Sequence, residues 1–442
     1  MEELSRRGFV GAAGITALSY SRILGANDRI RLGYIGVGNR GDQLHDAFLE
    51  WADQETAAVC DLREDYMDLA VKKSRATPKK YKDYQRLLED KSVDAVVIAT
   101  PDHWHALMFV EACHAGKDVY CEKPLSLTVQ EGRRMVDVAA QTHRVVQVGL
   151  NRRSSAFLKD AVDFVRAGGI GQVTMARSYH LVNEWPLGIG PGSHEHPPSE
   201  EDWNKWLGPA PKVPYDKNRM YYRFRWFYNY SGGQVTNFGV HYMDVLRWCL
   251  GKDAPLAVTA MGGKFAIRDD REVPDTAEIL WDFGGTMMTF SQINCNAAPG
   301  NIQRSEMELR GTKGTMYIDM ERWDVVPETN AALEVPARTP LNRSDEKAWS
   351  GSRKPAGEER HAKGSINPAP HARNFLDCIR SRKQTNCDTL TGHLSTSATL
   401  IGNVALRTKS YLEWDAQAER FPNNAAANQW LSYKYRPPYK LG

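Results

Sequence analysis

The residues of this chain best suited to chemistry lie at three places. The first is Gly36-Val37-Gly38-Asn39-Arg40-Gly41, with glycines at the first, third and sixth positions of a turn. An apolar run over 30–35 precedes it and reads as a buried strand; residues 42–49 follow with apolar positions at helical spacing. In that context the first glycine permits a tight turn. The second lets backbone approach a pyrophosphate, and the third lets helix and strand pack closely. The helix start adds free N–H groups and partial positive charge. Asp61 lies twenty residues after Gly41, at the end of a second apolar run, where a carboxylate reaches the adenine-ribose hydroxyls. It favours NAD, because it repels the 2′-phosphate of NADP; Arg63 softens that preference. The second place is Asn237, His241 and Asp244, with Trp248 after them, spaced four, three and four apart, which puts them on one helical face; Trp248 is expected in the core. The third is Glu122-Lys123-Pro124, where the proline fixes the backbone just after the lysine.

These groups need elements to hold them. A β-branched run over 93–99 leads into Thr100-Pro101-Asp102-His103-Trp104-His105. Ligands of open α/β sheets bind outside the carboxyl ends of strands, so Thr100, Pro101, His103 and His105 are expected to line a cofactor. A helix over 106–115, a strand over 118–121, a helix over 128–142 and a strand over 145–149 continue the alternation. The pattern predicts a doubly wound parallel sheet over 27–150. Over 151–442 the pattern changes. A helix to about 166 leads to strands over 174–182, 257–262, 277–283, 286–293, 306–310 and 315–318, with glycine turns between several of them. That predicts an α+β domain with an open, mostly antiparallel sheet and helices on one face. Helices near 368–410 are expected to close back on the first domain.

Residues 183–233 form a long irregular stretch rich in Trp, Tyr and Phe. Loops of this length are usually functional or disordered, and such aromatic content argues against disorder. Most of these rings are expected to pack the loop. Arg225, Trp226 and Tyr228 are candidate substrate contacts, since aromatic faces and guanidinium groups suit a sugar. His194-Glu195-His196 lacks matching partners, so no metal site is expected.

The glycine turn, the segment Ala99-Thr100-Pro101 with His105 four residues on, and Glu122-Lys123-Pro124 together resemble the glucose-fructose oxidoreductase / inositol dehydrogenase / rhizopine-catabolism family of NAD(P)-dependent oxidoreductases. The resemblance runs from about Arg29 into the last helices. It implies that Lys123 sits beside the nicotinamide and the reacting carbon, where an ammonium stabilises the developing alkoxide. It implies that the bond before Pro124 is often cis. His241 matches the family's general base, an imidazole able to take a proton near neutral pH. Asp244 matches an aspartate that orients the site or binds a hydroxyl. Asn237 departs from the aspartate of inositol-type enzymes: an amide can hydrogen-bond but carries no charge. Glu122, Lys123 and Asn151 are assigned to the cofactor, and Lys123, Arg152 and His241 to the substrate. The implied activity is oxidation of a secondary hydroxyl of a sugar, polyol or glycoside. Two alternatives stand beside it: a redox-neutral NAD-dependent glycosidase and a non-catalytic cofactor-binding protein. The resemblance also implies a homodimer or homotetramer.

The bulk properties agree with a two-domain chain: 442 residues, 42% hydrophobic and 25% charged, with net charge +3. That balance does not point to nucleic acid, and no apolar run is long enough to span a bilayer. The basic run over 72–82 reads as a solvated helix end and loop. Seven scattered cysteines without a C-x-x-C pair argue against a disulfide framework or zinc site. Residues 1–26, with Ser5-Arg6-Arg7-Gly8-Phe9-Val10, resemble a twin-arginine signal. That sets the expectation of a periplasmic or otherwise exported protein, and of a cofactor kept bound; without a working signal the expectation is cytoplasmic.

Overall fold

The computed structural model describes residues 29–193, 195–330 and 354–442. The twin-arginine segment and His194 lie outside the described residues, as does the middle of a Pro-, Ala- and charge-rich stretch over 326–364. The first domain alternates β1 (Ile30–Ile35), α1 (Asn39–Leu49), β2 (Gln54–Cys60), α2 (Glu64–Lys73), β3 (Lys79–Tyr81), α3 (Tyr84–Glu89), β4 (Ala95–Ile98), α4 (His105–His114), β5 (Asp118–Cys121), α5 (Val129–Thr142) and β6 (Val146–Val148). Its six-stranded sheet has the order β3-β2-β1-β4-β5-β6, with every pair parallel. The order reverses between β1 and β4, and a ligand crevice opens at such a switch point. All four residues of β4 are buried, as a β-branched run covered by helices on both faces must be. Helix α5 begins with a capping box, Thr128 and Glu131 each bonding the other's backbone, which satisfies two orphan donors. The second half of the basic run forms the short edge strand β3 rather than a loop.

The second domain contains α6 (Ala156–Arg166), β7 (Val173–Leu181), α7 (Glu200–Leu207), α8 (Gly233–Asn237) and α9 (Gly239–Leu250). It continues with β8 (Ala257–Gly263), β9 (Thr276–Asp282), β10 (Met287–Ile293), β11 (Met307–Gly311), β12 (Gly314–Ile318), β13 (Arg322–Pro327) and β14 (Arg360–Lys363). The chain ends with α10 (Ala369–Ser381), α11 (Thr389–Thr408), β15 (Leu412–Glu413) and α12 (Ala425–Asn428). Nine strands form one sheet of order β14-β13-β12-β11-β7-β10-β9-β8-β15. Neighbours are antiparallel except β7 and β10. Helices α6, α9 and α11 cover one face: Leu158, Val162, Leu246 and Ile401 share a core with Ile279, Phe290 and Leu309.

The return to the first domain is made by α10. Its Phe375, Leu376 and Ile379 join the core formed by Leu44, Phe48 and Tyr120, and Arg373 pairs with Asp53 at 2.8 Å. The aromatic stretch builds a small core of its own, where Trp203, Trp206, Trp226, Phe227 and Tyr230 pack with Val273. Every cysteine is a free thiol, and all but Cys295 are buried. Among the described residues no helix is long and apolar enough to cross a membrane.

Candidate active site

A cleft of about 1300 Å³ runs from the glycine turn to α8 and α9. At its first end, β1 delivers Gly36 with φ at +85°. A Cβ there would lie 2.8 Å from the carbonyl oxygen of Ala99, so both conformation and space require glycine. A Cβ at Gly41 would lie 2.0 Å from the carbonyl oxygen of Gly36; only a glycine lets α1 close on the turn. Gly38 differs: its nearest neighbour would be the Tyr66 ring at 3.4 Å, and it faces the cleft with Asn39 and Arg40. Val37 buries its side chain in the core, and its N–H donates to Asp61 Oδ2 at 3.0 Å. Asp61 Oδ1 accepts from the Arg63 N–H at 3.0 Å. Burial raises the Asp61 pKa, against the pull of the N–H groups of Arg63, Val37 and Leu62. Bare backbone at Gly38, a helix N-terminus behind it and a carboxylate at Asp61 fit a dinucleotide's pyrophosphate and ribose.

The second domain reaches over this end. The Arg63 guanidinium lies 4.5 Å from the Tyr66 ring centroid and 5.3 Å from that of Tyr221. Arg63 Nη1 also donates to the Tyr221 hydroxyl at 3.2 Å. Tyr221 holds φ at +48°, a left-handed conformation that costs a non-glycine residue about 1 kcal/mol or more. That strain sits where the aromatic strap crosses the cofactor cleft.

At the other end, the Lys123–Pro124 bond is cis. Lys123 Nζ donates to Asn237 Oδ1 at 2.8 Å and to the Asn237 carbonyl at 2.9 Å. That carbonyl is available because the helix breaks at Phe238. Asn237 ends α8, and terminal carbonyls lack intrahelical donors. Asn237 Nδ2 in turn donates to Gln234 Oε1 at 3.0 Å. Burial pushes Lys123 down to about 8; Glu122 and Asp102 pull it up, Arg225 and Arg40 push it down. His241, from α9, lines the same cleft. Burial and the charges of Lys123, Arg152 and Arg40 hold its pKa well below the ordinary histidine value. Its Nδ1 is buried without a partner, which leaves Nε2 open to the cleft.

Around these two groups, Arg40 Nε pairs with Glu122 Oε1 at 2.9 Å, and Glu122 Oε2 accepts the Lys123 N–H at 3.1 Å. Arg152 Nη2 pairs with Glu306 at 2.9 Å, its guanidinium 5.0 Å from the Tyr242 ring centroid. Asn151, Thr100, Pro101 and Arg225 also line the cleft.

The structure places several other expected site residues elsewhere. His103 is buried, its Nε2 against the Trp206 carbonyl at 3.1 Å, and burial drives its pKa down to about 3. It fastens the aromatic strap instead of lining the cofactor. His105 is buried as the first residue of α4, with Nδ1 2.7 Å from the Pro124 carbonyl and Nε2 2.9 Å from the Thr100 carbonyl. It ties two cleft loops together from behind.

Asp244 is fully buried outside the cleft, accepting from Arg153 Nε at 2.9 Å and Ser395 Oγ at 2.7 Å. It locks α9 to α11, because three residues past His241 the helix turns towards its neighbours. The expected single face is thus broken: Asn237 and His241 belong to different helices, and Trp248 is half-buried with Arg153 5.1 Å from its ring centroid. Trp226 is buried in the core of the strap, and Tyr228 lies beneath Arg407, whose Cζ is 4.5 Å from its ring centroid; neither lines the cleft.

Two contacts in the cleft escaped the sequence. Asp102 lines the cleft, as its place in the loop after β4 led one to expect, but it accepts from Ser231 Oγ at 2.5 Å across 129 residues of chain, and no local pattern pairs them. Tyr221 carried a usable signal, since Tyr221, Tyr222 and Phe224 alternate with Arg223 and Arg225 in a stretch too polar to be wholly core.

Residues 30–150 match the family model described as the oxidoreductase family, NAD-binding Rossmann fold. Residues 176–277 and 352–441 match the C-terminal alpha/beta domain of the same oxidoreductase family. The chain belongs to this family. Its first domain is therefore an NAD-binding Rossmann domain, and the protein is an oxidoreductase of the glucose-fructose oxidoreductase / inositol dehydrogenase type. Among curated relatives it is 27% identical over 307 residues to a myo-inositol 2-dehydrogenase of Thermotoga maritima, covering 68% of this chain and 78% of that one. It is 34% identical over 162 residues to a glycosyl hydrolase family 109 protein of Shewanella putrefaciens, but that match covers only 35% of each chain. Among solved structures, a levoglucosan dehydrogenase in complex with NADH and levoglucosan superposes with a TM-score of 0.63 at 18% identity. The match covers 87% of this chain and 99% of that one. Agreement at that identity shows the shared fold.

Proposed function

We propose that this oxidoreductase oxidises a secondary hydroxyl of a sugar, polyol or glycoside, using NAD held tightly in the cleft. The observation that carries this reading is the Lys123 ammonium fixed by both oxygens of Asn237, in one cleft with His241 and the glycine turn. A lysine has three donors; Asn237 takes two and leaves one for the substrate oxygen. His241, kept neutral by its surroundings, offers Nε2 to the hydroxyl proton. As the C–H bond breaks, negative charge grows on the oxygen and the Lys123 ammonium stabilises it. NAD, when bound, supplies the hydride acceptor. Asp61 and the bare backbone at Gly38 hold its ribose and pyrophosphate, favouring NAD over NADP. Arg63 with Tyr221 closes over the adenosine end, which supports a tightly held cofactor; NADH retained between turnovers gives its hydride to a second sugar, which is reduced in the same site.

A second reading has one specific support, the stretch of similarity to glycosyl hydrolase family 109 proteins. In it the same groups oxidise one sugar carbon transiently. The neighbouring C–H becomes acidic, the aglycone leaves by elimination, water adds to the unsaturated ketone, and the oxidised carbon takes its hydride back, so no net redox change remains. Purified protein denatured and assayed for released NAD(H) tests retention. Native protein mixed with sugars and aryl glycosides, with reduced-nicotinamide absorbance and free aglycone followed together, separates the chemistries. Reduced nicotinamide without aglycone release is the expected result. Aglycone release without accumulation of reduced nicotinamide would establish the second reading and overturn the first.

A further inference from the structure

The groups around the reacting end of the cleft are unevenly paired. Arg40 has Glu122 and Arg152 has Glu306, so those charges are balanced locally. Lys123 rests on a neutral amide. Arg225 has no carboxylate partner at ion-pair distance among the described residues, and its Nε is buried with no hydrogen-bond partner. It is held in place all the same, with Cζ 3.5 Å from the Tyr222 ring centroid. Burial lowers its pKa, against the pull of Tyr222 and then of the Asp102 and Glu184 carboxylates. Asp102 is itself engaged by Ser231. Lys123 and Arg225 set against Asp102 leave one positive charge in excess in the substrate end of the cleft.

An unpaired guanidinium out of water is costly, and proteins tolerate it where a ligand completes the pair. Stacking on Tyr222 fixes the plane of the guanidinium, so its fork is preorganised for a planar, two-oxygen acceptor. Neutral hydroxyls would leave the excess charge uncompensated. A phosphate dianion would over-compensate it and has no second free arginine to meet it. Resting on the proposed sugar-oxidising function and deepening it, we infer that the substrate is a sugar acid, whose carboxylate is bound by Arg225 while a ring hydroxyl meets Lys123 and His241.

The test is isothermal titration of the full-length, NAD-loaded protein with D-glucuronate and D-galacturonate, the methyl glycosides of the matching neutral sugars, and glucose 6-phosphate. The expected result is that a uronate binds at least about tenfold more tightly than its neutral counterpart, the size of a charged hydrogen-bonded contact. Arg225→Gln should remove that preference, bringing uronate affinity down at least about tenfold to the level of the matching neutral sugar. Arg225→Lys, which keeps the charge and loses the fork, should retain part of it and covers the case in which the glutamine variant does not fold. Equal affinity for acid and neutral sugars, a uronate preference that survives Arg225→Gln, tightest binding of the phosphate, or no binding of either uronate would each overturn the inference. A parallel assay of nicotinamide reduction keeps the two claims apart. Neutral sugars oxidised without charge preference sink the inference alone. Arg225-dependent uronate binding without any hydride transfer sinks the proposed sugar oxidation and leaves the acid site standing.

Discussion

Replacing Asn237 by aspartate puts a charge where the structure holds an amide oxygen 2.8 Å from Lys123 Nζ. The two side chains have nearly the same shape, and Gln234 can turn its amide to donate to the new carboxylate in place of accepting from Asn237. In the wild type, Lys123 is pushed down to about 8, burial being the largest cause. A unit charge at about 4 Å is worth roughly 4 kcal/mol at an effective dielectric constant of about 20. Part of that gain is lost in burying the new carboxylate, since Asn237 is only 8% exposed. Opposite charges at such range shift a pKa by about one to three pH units, so the lysine should titrate between about 9 and 11 in the variant. If the Lys123 ammonium is the group that stabilises the alkoxide, activity falls on the alkaline side as it deprotonates. The profile of kcat/KM against pH should then lose activity above about 8 in the wild type. In Asn237→Asp that limb should move up by about one to three pH units. An alkaline limb that stays in place in a folded, active variant would refute the reasoning.

Further outcomes follow from other contacts. Tyr221→Ala removes the ring and hydroxyl that hold Arg63 over the cleft. NAD should dissociate about two- to fivefold faster, matching about 0.5–1 kcal/mol for an exposed cation–π contact, as measured by stopped-flow displacement. His105→Ala unties the Pro124 and Thr100 carbonyls. Stability should drop by about 1–3 kcal/mol, and kcat/KM at least about tenfold although His105 touches no substrate; an unchanged kcat/KM would contradict the assignment. Burial pushes Glu419 up, yet hydrogen bonds from His393 and Arg133 hold it down to about 2. A depressed carboxylate contributes stability above its unfolded pKa of about 4.3 and loses it as pH falls through about 2. The melting temperature of Glu419→Gln should therefore depend less on pH across that window than the wild type's.

What was legible in the sequence follows a physical division. The parallel, doubly wound sheet could be anticipated because strands and helices alternate, and glycines at 36, 38 and 41 after a strand mark one kind of turn. Lys123 could be singled out because it is locked into a three-residue pattern at a strand end. The failures share a different cause. His103 and His105 stand in the right loop, but which way an imidazole points is decided by the Trp206, Pro124 and Thr100 carbonyls that receive it, far along the chain. Asp244 has the spacing of a site residue, yet Arg153 and Ser395 claim its carboxylate. The helix break at Phe238 had a faint signal in Gly239, which lowers helical preference, but helical periodicity alone ran through it. The partnerships of Asp102 with Ser231 and of Arg63 with Tyr221 cross from one domain to the other, and spacing carries no information about such contacts.

The central claim is that a hydride leaves a sugar carbon in the chamber formed by Lys123 and His241. Its most direct test is a single-turnover mixing of NAD-loaded protein with sugars and sugar acids deuterated at carbon, quenched in acid and read by mass spectrometry of the nicotinamide. Deuterium should appear in the cofactor within one turnover for the wild type, and not for Lys123→Met or His241→Ala proteins that still bind NAD. Deuterium that stays on the sugar or washes into water, or a label that reaches the cofactor equally well in both variants, would contradict it.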